Sequence, residues 1–302
     1  MEDKIPLRWM LVTAIAPIAW GSVYVVTRNL LPGDVPLWGA VYRAVPAALI
    51  LLLVTRRLPR GIWWWRSILL GVLNVGGFFV LIYVAGTRLP SSVAATLMSA
   101  SAAVMLLFGW AFLKQRPRLM AVAGAAIGIV GVLVMLGVSA ERVDPWGVAA
   151  SLAAMLSSSL GFVLTARWSG EVPPVTMAAW QLGAGGVLLL PIAAIVEGAP
   201  PIPVGGELLG FVYITVIATA LGYTAWFTGL KHLRASAVGT IGLLNPVTGV
   251  VLGVLLAGEA FGPLQLLGLL LVIAGVIVAN LPSRAPRSRL PVVDLSAGGR
   301  RS

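Results

Sequence analysis

Apolar stretches alternate with short polar gaps along almost the whole chain, and every second gap is basic. Ten apolar runs follow one another, over residues 9–27, 37–54, 67–85, 91–113, 119–138, 145–166, 175–196, 207–230, 235–257 and 261–280. A helix of roughly 20 apolar residues crosses the hydrocarbon of a bilayer. The spacing therefore predicts an all-α membrane protein of ten transmembrane helices. Short loops and a tail are all that it leaves outside the membrane.

Composition fits this pattern. Hydrophobic residues make up 59% and charged residues 10%, with a mean hydropathy of +0.98. A soluble domain of this size carries far more charge.

Where the charge sits then fixes how the chain is threaded. Lys4 and Arg8 precede the first run, and Arg56, Arg57, Arg60 and Arg66 fill the gap after the second. Lys114, Arg116 and Arg118 follow the fourth, Arg167 the sixth, and Lys231 and Arg234 the eighth. Five arginines lie in the tail, whereas the odd-numbered gaps hold only Arg28, Arg88 and Arg142. Basic loops stay cytoplasmic, and an even number of spans agrees with both termini on that side. The expected location is the cell inner membrane, with the lipid bilayer as solvent. The net charge of +11 is scattered over short loops and makes no continuous track, so no nucleic-acid partner is expected. The first run is long enough to cross and nine more follow it, so it reads as a retained helix and not as a signal peptide. Trp63, Trp64 and Trp65 sit between Arg60 and Arg66, where indole rings anchor a span at the headgroups.

The chain also resembles itself. At an offset of about 144, Leu89 falls on Leu233, Ser92 on Ser236, Thr96 on Thr240, Gly124 on Gly268 and Gly131 on Gly275. Earlier the offset is about 138; the stretch from Tyr24 to Thr27 then meets Phe162 to Thr165, and Tyr42-Arg43 meets Trp180-Gln181. Each half holds five spans, and an odd number brings the second half into the membrane from the opposite side. Two inverted five-helix repeats around a central cavity are the expected architecture, a plan common to transporters. The segments are 1–8 (cytoplasmic N-terminus), 9–139 (first repeat), 144–281 (second repeat) and 282–302 (a disordered basic tail).

Several short motifs stand in order along these spans. They are Trp20-Gly21-Ser22, Arg43, Leu89-Pro90, Gly222-Tyr223, Asn245-Pro246, Glu259, and then Gly268 and Gly275. On these residues, from about Trp9 to Asn280, the chain resembles the drug/metabolite transporter superfamily, of the ten-helix EamA type, with a leaning toward its aromatic amino acid exporters. One departure is visible. Lys114-Gln115 replaces the acid expected after the fourth span, while its counterpart Glu259 is present. The resemblance implies that spans 1, 3, 4, 6, 8 and 9 line a cavity.

Polar groups in hydrocarbon are costly and ask for a reason. Arg43 either snorkels to the outer headgroups or stands as a fixed cation at the cavity mouth, with Glu197 as a candidate partner. Asn74, Gln181 and Asn245 serve as helix–helix glue or as solute contacts. Asn245 is the sharper case, because Pro246 removes a backbone hydrogen bond beside it. Ser101 and Ser158 belong to mildly polar patches that also include Ser99, Ser157 and Ser159. Trp20, Tyr24, Phe78, Met98, Trp180 and Tyr223 are the candidates for an aromatic and apolar wall, with Trp226 as a further aromatic.

The residue inventory excludes other classes. There is no cysteine and one histidine, His232; thiol chemistry, His-rich metal sites and an activated intramembrane serine are not expected. No acid lies deep in a span, so a carboxylate dyad is not expected either. No enzyme, cofactor or metal is anticipated. The expectation is a transporter of a small-molecule solute, an exporter of a small metabolite or amino acid working by alternating access. A flippase of a lipid-linked metabolite and a channel-like facilitator are the alternatives. The absence of a deep titratable acid points to facilitated movement over proton coupling. Substrate identity and oligomeric state stay open, a monomer being compatible with the pattern.

Overall fold

The computed structural model describes residues 7–31, 35–86, 88, 97–136, 144–170, 172–257 and 262–281. Among these residues the chain is helical throughout, with no strand. Helix α1 is Leu7–Leu30 and α2 is Pro36–Thr55. Helix α3 runs through Trp63–Gly71, a π-helical turn Val72–Gly76 and Gly77–Gly86. Next come α4 (Ser101–Leu113), α5 (Leu119–Leu136), α6 (Pro145–Trp168) and α7 (Pro174–Val196). Helix α8 runs through Gly206–Tyr213, a second π-helical turn Ile214–Leu221 and Gly222–His232. Helix α9 is broken into Ala235–Ile241 and Leu244–Ala257, and α10 is Pro263–Ala279.

Proline sets several of these starts. Pro36, Pro145, Pro174 and Pro263 occupy the first helical turn, where a missing N–H costs nothing. Among the described residues, five helices are long and apolar enough to cross a membrane: α2, Trp63–Ala85 of α3, α6, α7 and Gly206–His232 of α8. Leu7–Val23, Leu97–Leu113, Leu119–Val134 and Pro263–Ala279 are shorter apolar helices. Their outward faces are greasy, with Leu53, Leu119, Ile195 and Leu209 all largely exposed. Such continuous apolar surface suits lipid and not water.

The helices pack in a definite pattern. Helix α2 lies on α7, α5 on α10, and α4 on α9. Helix α1 packs on α8 and α9, and α6 packs on α3 and α4. Small residues let backbones approach. A Cβ on Gly275 of α10 would stand 2.6 Å from Gly124 O and Gly128 N of α5, and one on Gly71 of α3 would stand 2.8 Å from Gly185 N of α7. Leu89-Pro90, Glu259 and the tail lie outside the described residues.

Candidate functional site

A cavity of about 330 Å³ opens between α1, α2, α3, α4, α6, α8 and α9. Its walls are built by the irregular parts of those helices. In α9, Pro246 has no N–H to give Gly242 O, and Asn245 N donates to that carbonyl instead at 3.0 Å. The helix therefore breaks at Gly242-Leu243, and Asn245 and Pro246 face the cavity. A π-helical turn leaves carbonyls without their usual partners. In α3, Leu73 O accepts from Ser157 Oγ at 2.9 Å and Asn74 O from Tyr223 Oη at 2.9 Å. In α8, Ala218 O accepts from Trp20 Nε1 at 2.8 Å. Side chains at or beside the cavity on one helix thus clip the backbone of another at its π-helical turn.

The aromatic wall is continuous. Trp20 lies edge-on to Tyr223 at 5.5 Å and tilted on Trp226 at 5.2 Å, and Phe162 meets Trp226 at 5.4 Å. Arg43 of α2 donates from Nε to Thr219 Oγ1 at 2.9 Å, and its guanidinium stands 5.0 Å from the centroid of Phe79. It is the one charged side chain on the cavity wall among the described residues. Glu197 does not pair with it. Both oxygens of that carboxylate accept from backbone, Leu37 N at 2.7 Å and Trp38 N at 2.8 Å, and so cap the start of α2.

Of the residues singled out from the sequence, Trp20, Arg43, Phe78 and Met98 line the cavity, as do Ser101, Ser158, Tyr223 and Asn245. Asn74 and Gln181 do not line it. They are buried between α3, α6 and α7, where Asn74 Nδ2 donates to Gln181 Oε1 at 2.7 Å and Gln181 Nε2 to Thr165 Oγ1 at 3.1 Å. Trp180 also lies elsewhere; its Nε1 donates to Arg57 O at 2.7 Å and its ring packs on Trp63 at 5.5 Å. The side chain of Tyr24 is outside the described residues. Ser99, Ser159 and Trp226, also named from the sequence, line it as well; Val23, Phe79, Ile82, Met105, Phe162 and Pro246 are among the further residues of the wall. The repeat offset of about 138 pairs Phe162 with Tyr24, and that signal could have found Phe162.

A second crevice of about 450 Å³ lies at the ends of α4, α6 and α8 that carry the basic gaps, lined among others by Lys114, Gln115, Arg167, Leu230 and Lys231. Cations suit helix C-termini, and Arg167 Nη1 reaches Phe112 O at 3.4 Å.

Comparison with known proteins agrees with this geometry. The model of the EamA-like transporter family matches residues 7–137 and again residues 145–281. Protein PecM of Dickeya dadantii (strain 3937) is 32% identical over 267 residues, covering 88% of this chain and 90% of the relative. A probable amino-acid metabolite efflux pump of Salmonella typhimurium is 26% identical, covering 90% and 94%. The uncharacterized inner membrane transporter YedA of Escherichia coli (strain K12) is 25% identical, covering 87% and 88%. A solved crystal structure at 22% identity superposes with a TM-score of 0.78 over 90% of this chain and 96% of the other; at that identity it bears on the fold alone.

Proposed function

The chain belongs to the EamA-like transporter family, and from that premise we propose that it exports a small amphipathic solute by alternating access between two inverted halves. As a member of that family it is a multi-pass inner-membrane transporter and not an enzyme. Inversion of the halves, direction of transport and the solute are the proposal.

One observation carries it: helix contacts survive exchange of the halves. Swapping α1–α5 for α6–α10 turns the α1–α8 contact into α6–α3, and α1–α9 into α6–α4. The α2–α7, α4–α9 and α5–α10 contacts map onto themselves. Finer features follow the same exchange. Both π-helical turns fall in the third helix of their half. At an offset of 145, Leu73 corresponds to Ala218 and Asn74 to Thr219. The first helix of each half donates to the first of these positions in the other half, Trp20 to Ala218 O and Ser157 to Leu73 O. The second helix bonds the next residue, Arg43 to Thr219 and Gln181 to Asn74. Two halves that hold each other through equivalent contacts can trade conformations at little cost, as alternating access requires.

Export is supported by the name of the Salmonella relative. The proposal takes both termini, and the second crevice, to face the cytoplasm, supported by the basic gaps on that side of the chain. Sided labelling tests the carrier without knowledge of the solute. The chain has no cysteine, so Ile82→Cys on the outer half of the cavity and Leu230→Cys in the cytoplasmic crevice give unique handles. In a carrier, a bulky maleimide at Ile82→Cys traps one state and protects Leu230→Cys from a cytoplasmic reagent. Independent labelling of the two sites would mean an open pore.

A further inference from the structure

Two polar atoms on the cavity wall are buried and lack any protein partner among the described residues, Trp226 Nε1 and Ser159 Oγ. Their residues are 3% and 1% exposed. Neighbouring donors are engaged: Trp20 Nε1 with Ala218 O, Tyr223 Oη with Asn74 O, and Ser158 Oγ with Met155 O at 3.2 Å. An unsatisfied buried donor costs about 1–3 kcal/mol. Phenylalanine at Trp226 would keep ring contact with Trp20 and Phe162 without that cost, losing only the outer edge of the indole that packs toward Gly242, and alanine would fill the place of Ser159. Packing alone therefore does not account for these two residues.

We propose, building on the carrier reading, that these groups read the oxygen edge of the solute and that the cavity selects aromatic acids. The flat apolar body lies among Trp20, Phe162, Tyr223 and Trp226. Its carboxylate or carbonyl oxygen accepts from Trp226 Nε1 and Ser159 Oγ as the walls close on it, and Arg43 supplies the positive field. No carboxylate lines the cavity among the described residues. An ammonium group on the solute therefore meets a cation and no counter-ion, which disfavours aromatic amines. A volume of about 330 Å³ lies at the small end of ligand pockets, which suits one ring system.

The test is counterflow of labelled phenylacetate in proteoliposomes of the full chain, with phenylacetamide and 2-phenylethylamine as competitors. Phenylacetate exchanges saturably, phenylacetamide competes more weakly, and the amine does not compete. Trp226→Phe and Ser159→Ala each weaken half-saturation by phenylacetate roughly tenfold, the loss of one hydrogen bond to a charged group. Ser159→Ala leaves the melting temperature of the solute-free protein unchanged, and Trp226→Phe lowers it only by the loss of ring volume. The two variants lie on different helices, so misfolding of one leaves the other to decide. Equal competition by the amine, absence of phenylacetate exchange, or half-saturation within twofold of wild type in both variants would overturn the proposal. A fall in stability with unchanged half-saturation, the mark of a bound structural water, would do the same. The labelling experiment above uses no solute, so a failure here is distinguishable from failure of the carrier itself.

Discussion

Gly21→Ala adds one methyl group at the point where α1 crosses the broken helix α9. A Cβ there would stand 2.5 Å from Asn245 O, 2.6 Å from Thr248 Cβ and 3.1 Å from Gly249 N. Optimal contacts between such atoms lie near 3.5 Å, so the two helices must part by about 1 Å. Neither obstacle can turn aside. The carbonyl belongs to a helix backbone, and a Cβ does not move with its rotamer. Overpacking of this kind costs about 1–3 kcal/mol. For a chain of this length that corresponds to a melting temperature lower by roughly 2–5 °C, read on the purified protein in detergent. Transport should fall as well at equal insertion, because Asn245 lines the cavity and Trp20 clips Ala218. Gly39→Ala is the control. Nothing lies within 4 Å of its Cβ, and it should leave both readings unchanged or slightly improved. If Gly21→Ala melts and transports like wild type, α1 and α9 do not meet as described, and the exchange of contacts between the halves loses one of its members.

Glu197→Ala removes the carboxylate that caps α2 and should cost about 1 kcal/mol, seen as a lower melting temperature at neutral pH. Gln181→Ala takes away the closer acceptor of Asn74 Nδ2, at 2.7 Å, and leaves it only the longer contact to Thr165 Oγ1 at 3.4 Å; it should cost about 1–3 kcal/mol while leaving solute affinity unchanged, and a selective loss of affinity would place the amides in the binding site after all. Asp144 caps α6, and the N–H of Gly147, together with that of Trp146 and the Arg88 cation at 3.5 Å, holds its carboxyl below the usual carboxylate range. Its folded pKa is depressed, so its contribution is present above the unfolded value and lost as pH falls through the folded one. The melting temperatures of wild type and Asp144→Asn should differ at neutral pH and converge in acid. Since no carboxylate lines the cavity among the described residues, an imposed pH gradient should drive no more accumulation of phenylacetate in proteoliposomes than in protein-free vesicles, where the neutral acid crosses unaided.

The spans were legible because hydropathy and proline mark them locally: Pro36, Pro145, Pro174 and Pro263 begin helices where the apolar runs begin. Residues beside a local irregularity were legible too. Asn245 was flagged by Pro246, and Arg43 by its charge. The amides show where such reading ends. Asn74, Asn245 and Gln181 look alike as polar groups in apolar runs, yet Asn245 faces the cavity while Gln181 and Asn74, 107 positions apart, bond each other. Nothing local encodes that contact. The π-helical turns were equally hidden, since Val72–Gly76 and Ile214–Leu221 hold no proline to mark a change in the backbone. In helices that are apolar all round, periodicity does not separate the face toward lipid from the face toward the cavity, which is why Met105 and Phe79 were missed.

Equivalent scaffold positions carry unlike chemistry, and that difference bears on how a solute lies. Arg43 and Gln181 both reach the π-helical turn of the opposite half. Arg43 faces the cavity and brings charge to it, while Gln181 is neutral and sealed in a buried network. Trp20 and Ser157 likewise clip corresponding carbonyls, one with a ring and one with a hydroxyl. A carrier needs matched backbones so that its two halves can exchange shapes. It needs unmatched side chains so that the solute has one preferred orientation in both states. On the proposed reading, with the cation on α2 and the donors on α6 and α8 that lack a partner among the described residues, an acid-bearing ring would keep its oxygen edge toward the same groups while access changes sides. Replacing Arg43 by Gln would make the second helices of the two halves more alike. It should therefore weaken selection for acids over amides more than it slows the exchange of states, which competition by phenylacetamide and cross-blocking between Ile82→Cys and Leu230→Cys would measure separately. Loss of cross-blocking with unchanged selectivity would show that Arg43 serves the scaffold and not the solute.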